Sequence, residues 1–454
     1  KSAVLAPALP SELAPLEDRS MVGLAVLAPE GTSYESMEET MKEISNYISD
    51  SIPDLNANRT YAGVAASIGT IVQPVNNGFQ WVFLNDADQR KSKLSQQQIY
   101  EKLIAASQQF RNVLIIPIQI PTIGGFSSSQ PLEYVIQAPD LKSLVEVMPK
   151  LMGEVYKSKK LVFQNPDFKI DRPEIGITID RQRAAQSGVS TQEIGRTLQL
   201  ALSGRRYGYF IHNDRQYEVI GQLDRKERSA PADLRSLFLK SGSGEMISLD
   251  NFVKMNEGVS PPALFRYNQS YSATISATPA TGVSLGEAIK EMDLLTKNTL
   301  PPGFRTALAG QSRDFAESSS SLVFAFIFAI LLIYLVLAAQ FESLIDPFII
   351  LLTVPMAVTG ALLSLWITGQ SINVFSEIGI IMLIGLITKN GILIVEFANQ
   401  RKEEGMNVHD AIMAAAVSRF RPILMTTLAM IFGTLPIALS LGTSSGSRTS
   451  LGIV

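Results

Sequence analysis

The sequence predicts an α+β region followed by an α-helical membrane bundle, and three observations carry that prediction. Residues 1–320 hold nearly all the charge, whereas 321–441 is dominated by apolar runs. In the first part, strand-like and helix-like segments follow a βαββαβ order that then repeats. In the second, the run Val374–Ala398 could cross a bilayer as a helix, roughly 37 Å at ~1.5 Å per residue, and it carries Lys389 in its interior.

The totals set limits. A chain of 454 residues with 46% hydrophobic residues holds two or three domains. A net charge of −3 with no basic block argues against a nucleic-acid partner. The absence of Cys excludes a disulfide frame and a thiolate metal site. His212 and His409 are the only histidines and lie far apart in the chain, so a His-based catalytic or zinc site is not expected. Lys1 is not an initiator Met, no signal peptide is present and Val454 stops in an apolar context, which reads as a piece cut from a longer chain.

Residues 1–20, with Pro7, Pro10 and Pro15, read as an extended linker. The strand Val22–Ala28 precedes a helix over about 33–52, opened by the capping box Thr32-Ser-Tyr-Glu35. Strands at Arg59–Ala65 and Gly78–Leu84, a helix at Ser95–Phe110 and a strand at Asn112–Ile120 complete a split-βαβ, or ferredoxin-like, unit. The second unit has strand Leu132–Gln137, helix Leu141–Lys157 and strand Lys160–Phe163. After a long interruption it resumes with strand Tyr271–Ala277, a helix at Ser284–Lys297 with the box Ser284-Leu-Gly-Glu287, and strand Phe304–Ala309. The interruption, 164–254, contains a capped helix (Ser190-Thr-Gln-Glu193) and two alternating runs around His212-Asn-Asp-Arg215, which is a β-hairpin pattern. His212 at its tip reads as a solvated turn residue rather than a ligand.

Membrane spans are placed at Leu322–Ala339, Pro347–Thr368, Val374–Ala398 and Pro422–Leu441. The segment 400–421 carries Arg401, Lys402, Arg419 and Arg421, while Gly369–Asn373 carries no basic residue. The positive-inside rule therefore makes 400–421 cytoplasmic and puts residues 1–315 outside.

Lys389 is the only basic residue between Arg313 and Arg401. A charge near the bilayer centre costs roughly 2.5–3.5 kcal/mol on insertion scales, so it should be paired or lie beside a wet path. It reads either as a functional group or as a static ion pair between helices. Glu396, on nearly the same helix face but about two turns away, reads as an anchor for Arg401 or Lys402. Glu377 lies near the opposite end, so the carboxylate partners of Lys389 are expected outside this chain. Arg419 and Arg421 read as topology anchors or relay members, and Thr426 as a residue that bonds its own helix.

Two motifs carry a family resemblance. Gly385-Leu-Ile-Thr-Lys-Asn-Gly-Ile-Leu-Ile-Val-Glu-Phe-Ala398, followed by Arg419-Phe-Arg-Pro-Ile-Leu-Met-Thr426, resembles the C-terminal half of resistance-nodulation-division (RND) exporters, nearest the hydrophobe/amphiphile efflux branch. Leu337-Ala-Ala-Gln-Phe-Glu-Ser343 and Ile170–Leu202 fit the same family. The resemblance implies a transporter rather than an enzyme: a homotrimeric, multi-pass pump of the bacterial inner membrane, driven by the proton motive force without a cofactor or metal. It implies small amphiphilic substrates such as drugs, detergents and biocides, and a tripartite system with a periplasmic adaptor and an outer-membrane channel. Residues 1–10 would follow a missing transmembrane helix. Porter subdomains would occupy 11–130 and 131–163 with 255–310, a docking subdomain 164–254, and residues 1–315 would be periplasmic. The proton relay would comprise Lys389, Asn390, Thr426 and Arg419 or Arg421, with two aspartates on a helix of the other half.

The substrate pocket fits the family less closely. The stretch Tyr61–Thr70 keeps one aromatic where drug-exporting relatives have a loop rich in Phe and Gly. Tyr61, Trp81, Ile116, Ile118 and Phe126 are the pocket candidates, and Tyr61 and Trp81 read equally as core residues. Tyr207, Phe210, His212, Asn213 and Asp214 are the candidates for a docking hairpin. Two other functions remain open. A heavy-metal exporter of the same fold would need a thioether cluster that Met148, Met152, Met246 and Met255 do not evidently form. A non-transporting membrane scaffold or protein-export accessory would leave Lys389 without acidic partners.

Overall fold

The computed structural model describes residues 9–56, 59–64, 74–123, 130–441 and 446–454. They form two compact units, one built from the chain up to Phe168 and from Ala263 onward, the other from Lys169–Pro262.

The first layer of the larger unit consists of β1 (Met21–Leu27), α1 (Tyr34–Ser51), β2 (Tyr61–Val64), β3 (Asn77–Phe83), α2 (Gln96–Ser107) and β4 (Leu114–Ile118). The sheet order is β2-β3-β1-β4 with every neighbouring pair antiparallel. Met37, Met41, Ile44 and Ile48 recur at helical spacing along α1 and bury one stripe against Val22, Leu24 and Val26 of β1. A side chain at Gly78 would collide with Met41 and Met37, so the helix rests directly on that glycine. The cap of α1 differs from expectation. Ser33, not Thr32, accepts from the Ser36 N–H at 3.3 Å, and the Thr32 hydroxyl turns back to donate to Pro29 O at 2.7 Å. Both residues are hydroxylic, and only the path of the chain chooses between them.

The second layer begins with β5 (Leu132–Ala138), α3 (Leu141–Val155) and β6 (Leu161–Pro166). The insert then contributes β7 (Arg172–Ile179), α4 (Arg181–Gln186), α5 (Thr191–Leu198), β8 (Arg205–His212), β9 (Arg215–Gly221), β10 (Phe238–Lys240), β11 (Met246–Ser248) and β12 (Val253–Ser260). The layer resumes with β13 (Phe265–Tyr267), β14 (Ser270–Pro279), α6 (Leu285–Thr299) and β15 (Arg305–Leu308). Its sheet order, β6-β14-β5-β15, repeats the first layer position for position, and β13 adds beside β14. The Ser284–Glu287 capping box opens α6 with both bonds made. The insert is wider at its far end than the expected 164–254, because β12 pairs along its whole length with β7. Ala184, Ile194, Leu239, Leu249 and Phe252 form its own core.

The membrane helices follow. α7 (Gly310–Phe341) runs unbroken from β15 into its apolar stretch. Two helical pieces, α8 (Ile345–Leu351) and α9 (Val354–Thr368), form the second candidate span, and Gly369 at φ 66° closes α9. α10 (Val374–Glu403), α11 (Val408–Ala438) and the short α12 (Thr449–Ile453) complete the chain. The expected span from Pro422 lies within a longer helix: α11 begins at Val408 and carries Pro422 in its interior, so most of 400–421, expected as loop or helix, is helix. Proline removes one backbone bond, and the remaining turns hold the helix.

Arg90 fastens the first layer to the segment that enters it. Its side chain is 1% exposed. All five of its N–H donors are used: bidentate to Asp18 at 2.6 Å each, and to Asn85 O, Leu94 O and Ser20 Oγ. Burial pushes the Asp18 carboxyl up. The Arg90 bonds and the N–H groups of Gln96 and Ser20 outweigh that and hold it below the usual carboxylate range.

Asp167 shows the opposite balance. Burial pushes its carboxyl up to about 6, against the N–H of Thr274 at 2.7 Å. The folded state therefore holds this proton more tightly than the unfolded chain. Its contribution is favourable at low pH and is lost as pH rises from the ordinary value of 3.8 through about 6. Asp167→Asn keeps an acceptor for Thr274 and removes the charge. Thermal unfolding should show the variant more stable by roughly 1–3 kcal/mol at pH 7.5, with the gap closing by pH 4.

Candidate functional site

α10 packs against α7, α8, α9 and α11, and its two faces differ sharply. Ser376, Gly379, Ile384 and Thr388 are buried, and a side chain at Gly391 would come within 3.1 Å of Ile350 on α8. Ile378, Met382, Gly385, Lys389 and Glu396 form a second, exposed stripe at helical spacing. Lys389 therefore sits midway along the helix, on the face that the described residues leave uncovered.

The other relay candidates are placed unequally. Arg419 lies on α11 with its guanidinium 4.8 Å from the Phe397 ring of α10, about two turns from Lys389 toward the Glu403 end of the helix. Its Nε is buried without a hydrogen-bond partner among the described residues. Arg421 is exposed, and Asn390 is half-buried beside Lys389. The Thr426 hydroxyl donates to Pro422 O and Ile423 O of its own helix at 3.1 and 3.0 Å. The expected role of Glu396 as an anchor for Arg401 or Lys402 does not hold. Glu396 accepts from Gln400 at 3.1 Å, while Arg401 pairs with Glu404 at 2.8 Å and lies over Phe397. At i,i+3 and i,i+4 those nearer groups are simply easier to reach.

In the first layer, strand register sets Tyr61, Trp81, Gly23 and Ile118 in one row across the sheet, with Gly63, Phe79, Ala25 and Ile116 in the next. Glycine and alanine on the central strand make room: a side chain at Gly23 would lie 2.9 Å from Phe79. Trp81 packs edge-on against Phe79 at 4.9 Å and is half-buried. Ile116 and Ile118 are core residues at 1% and 5% exposure, whereas Tyr61 is 60% exposed. Phe126 lies outside the described residues. Phe79, Gly23 and Phe163 share this face and were not singled out from sequence, although alternating Phe79 and Trp81 gave a signal. A separate cavity of about 690 Å³ opens between the two layers of the larger unit. Ile118, Tyr100, Tyr156 and Phe163 give it apolar and aromatic wall, and its charged lining among the described residues is acidic, from Glu12, Glu101 and Asp314. Of the pocket candidates among the described residues, only Ile118 reaches it.

A model of the AcrB/AcrD/AcrF family matches residues 1–454. The chain belongs to that family. It is thereby one of the RND efflux transporters. It is 32% identical over 454 residues to an uncharacterized transporter of Haemophilus influenzae, covering 98% of this chain and 43% of the relative. It is 29% identical over 453 residues to the multidrug/solvent efflux pump membrane transporter MepB of Pseudomonas putida, covering 98% and 42%. It is 30% identical over 449 residues to the multidrug resistance protein MdtC of Escherichia coli, covering 98% and 43%. The chain thus spans about two fifths of the length of the curated relatives it matches.

The remaining candidates of this RND chain lie on the insert. Asn213 and Asp214, at φ 50° and 58°, form the two-residue turn between β8 and β9, the geometry of a type I′ hairpin. Phe210 stacks on Tyr217 at 5.3 Å, and Tyr207, Tyr209 and Ile211 are exposed. His212 sits at the strand end as an exposed turn neighbour.

Exposure separates recognition from folding at the aromatic face. Tyr61→Ala should leave unfolding unchanged within about 0.5 kcal/mol. Ile116→Ala should cost about 2–5 kcal/mol. Any change in substrate profile from Tyr61→Ala, measured beside thermal unfolding of both variants, then reports on binding.

Proposed function

We propose that this chain is the lysine-bearing half of a proton-driven exporter of hydrophobic and amphiphilic compounds. One observation carries the reading: an amine held midway along a helix long and apolar enough to cross a membrane, on a stripe that the described residues leave uncovered. A helix from the rest of the protein is the natural cover for that stripe, and its aspartates would lie against Lys389. Gly385, one turn above the lysine, lets such a helix approach closely. Arg419, seated against α10, is the better relay arginine than exposed Arg421.

The mechanism is electrostatic. Charged aspartates hold the ammonium between them. Proton uptake neutralises them and weakens the pairing, freeing Lys389 toward Asn390 or Thr426, and α10 shifts. No bond in the substrate is broken. The repeated strand order supports two ferredoxin-like porter subdomains, which would alternate between open and closed states. The insert with its exposed aromatic hairpin would dock a periplasmic adaptor or outer-membrane channel, in a homotrimer of the inner membrane with residues 1–315 in the periplasm. The apolar and acidic walls of the cavity suit amphiphiles, cationic ones best.

Replacing Lys389 with Ala in the full-length protein should reduce proton-coupled export in proteoliposomes at least about tenfold, while leaving the protein in the membrane. Export at the parent rate would end this reading.

A further inference from the structure

The helix that carries Lys389 is joined through the chain only to other membrane helices, α9 and α11. Any shift of it must reach the α+β layers through contacts. A dense set of them lies at its outer end, around residues 9–18.

There the incoming chain pairs with the turn before α10, as a parallel bridge between Ser11 and Ile372. Glu12 N–H donates to Ile372 O at 3.1 Å, Ile372 N–H to Pro10 O at 2.9 Å, and Val374 N–H to Leu13 O at 3.2 Å. The Ser371 hydroxyl donates to the Glu12 carboxylate. Asn373, 2% exposed, donates from Nδ2 to Ser371 Oγ at 3.1 Å, while its Oδ1 caps α10 by accepting from Phe375 and Ser376 N–H. Ser450 Oγ donates to the same Oδ1 at 3.1 Å, and Ser447 Oγ to Glu17 at 2.5 Å.

The far end is fastened as firmly. Asp18 grips buried Arg90, and Gln96 Oε1 accepts from Arg19 and Met21 N–H at 2.8 and 3.3 Å. Only five residue steps, at most ~17 Å at ~3.4 Å per residue, join Leu13 to Asp18. Leu13 and Ala14 are themselves buried, at 2% and 6% exposure.

We propose that residues 10–18 are a coupling strap that carries displacement of α10 into the first α+β layer, with Glu12, Ser371 and Asn373 as positioning residues. The proposal rests on the proton-driven reading, in which Lys389 moves the helix. A helix transmits axial shift along its hydrogen-bonded length. The bridge at its N-cap hands the shift to the strap, and Asp18 delivers it to the strand that begins at Met21.

Slackening the strap is the direct test. Two glycines inserted between Leu16, which is 47% exposed, and Glu17, combined with Ser447→Ala and Thr122→Ala to remove the two bonds that bypass the insertion, leave the Ser11–Ile372 bridge and the Asp18–Arg90 fork in place. Asp18→Asn is the poorer variant, because it strands a buried guanidinium and endangers folding. In the full-length protein, cysteine reporters are placed singly at Gln370→Cys, beside the outer end of α10, and at Val75→Cys, on the first layer. Each is labelled with an environment-sensitive dye and followed through an acid step in proteoliposomes. In the parent both reporters should respond. In the insertion variant only the Gln370 reporter should respond, which also shows the membrane part folded, and export should fall about tenfold. The pair Glu12→Gln with Ser371→Ala, which loosens the membrane end, should act in the same direction by a smaller factor. Parent-like export with both reporters responding in the insertion variant would overturn the strap, as would a silent Val75 reporter in the parent. Lys389→Ala tells the two readings apart. If it is inactive while the insertion is harmless, only the strap falls; if it exports normally, the proton reading falls and takes the strap with it.

Discussion

An ammonium group halfway through a bilayer constrains whatever surrounds it, because hydrocarbon cannot replace the water it has lost. In this chain that constraint falls on one side of α10. The packed face, toward α8 and α12, is made of glycines, serine, threonine and isoleucine, which satisfy their hydroxyls on their own helix, as Thr388 does on Ile384 O at 2.9 Å. The charge is turned the other way, onto a stripe ending at Glu396. Packing and charge are thus separated on one helix, with the packed face closed against its neighbours and the charged face open.

The same division between rigid support and adaptable surface recurs in the α+β layers. Each antiparallel sheet buries one face under two helices. The first layer's other face carries an aromatic pair, Phe79 and Trp81, beside Gly23 on the neighbouring strand. Ile116 and Ile118 are locked into that face, whereas Tyr61 on the edge strand stays 60% exposed. Sharing a sheet face therefore does not give these residues one role. Depth within the row decides.

Much of this was legible in the residues. The helix over 33–52 was read from its pattern, the Ser284–Glu287 pair gave a cap, and Asn213-Asp214 gave a hairpin turn. The misses share a cause. Thr32 and Ser33 are equivalent as caps, and Glu396 can reach several cations. Local sequence ranks such choices evenly, and only neighbouring segments break the tie.

The far edge of the insert and the strap show the limit most clearly. Val253–Ser260 has no local mark of belonging with Arg172–Ile179, nor does Ser11 of belonging with Ile372. By itself the sequence determined the periodic elements, the membrane helices and the isolated lysine, because hydropathy and helical or strand spacing act over a few residues. The tertiary structure alone decided which face of α10 the lysine takes, which arginine reaches that helix and where the chain is fastened. Those depend on pairings between segments far apart in sequence, which are fixed by packing.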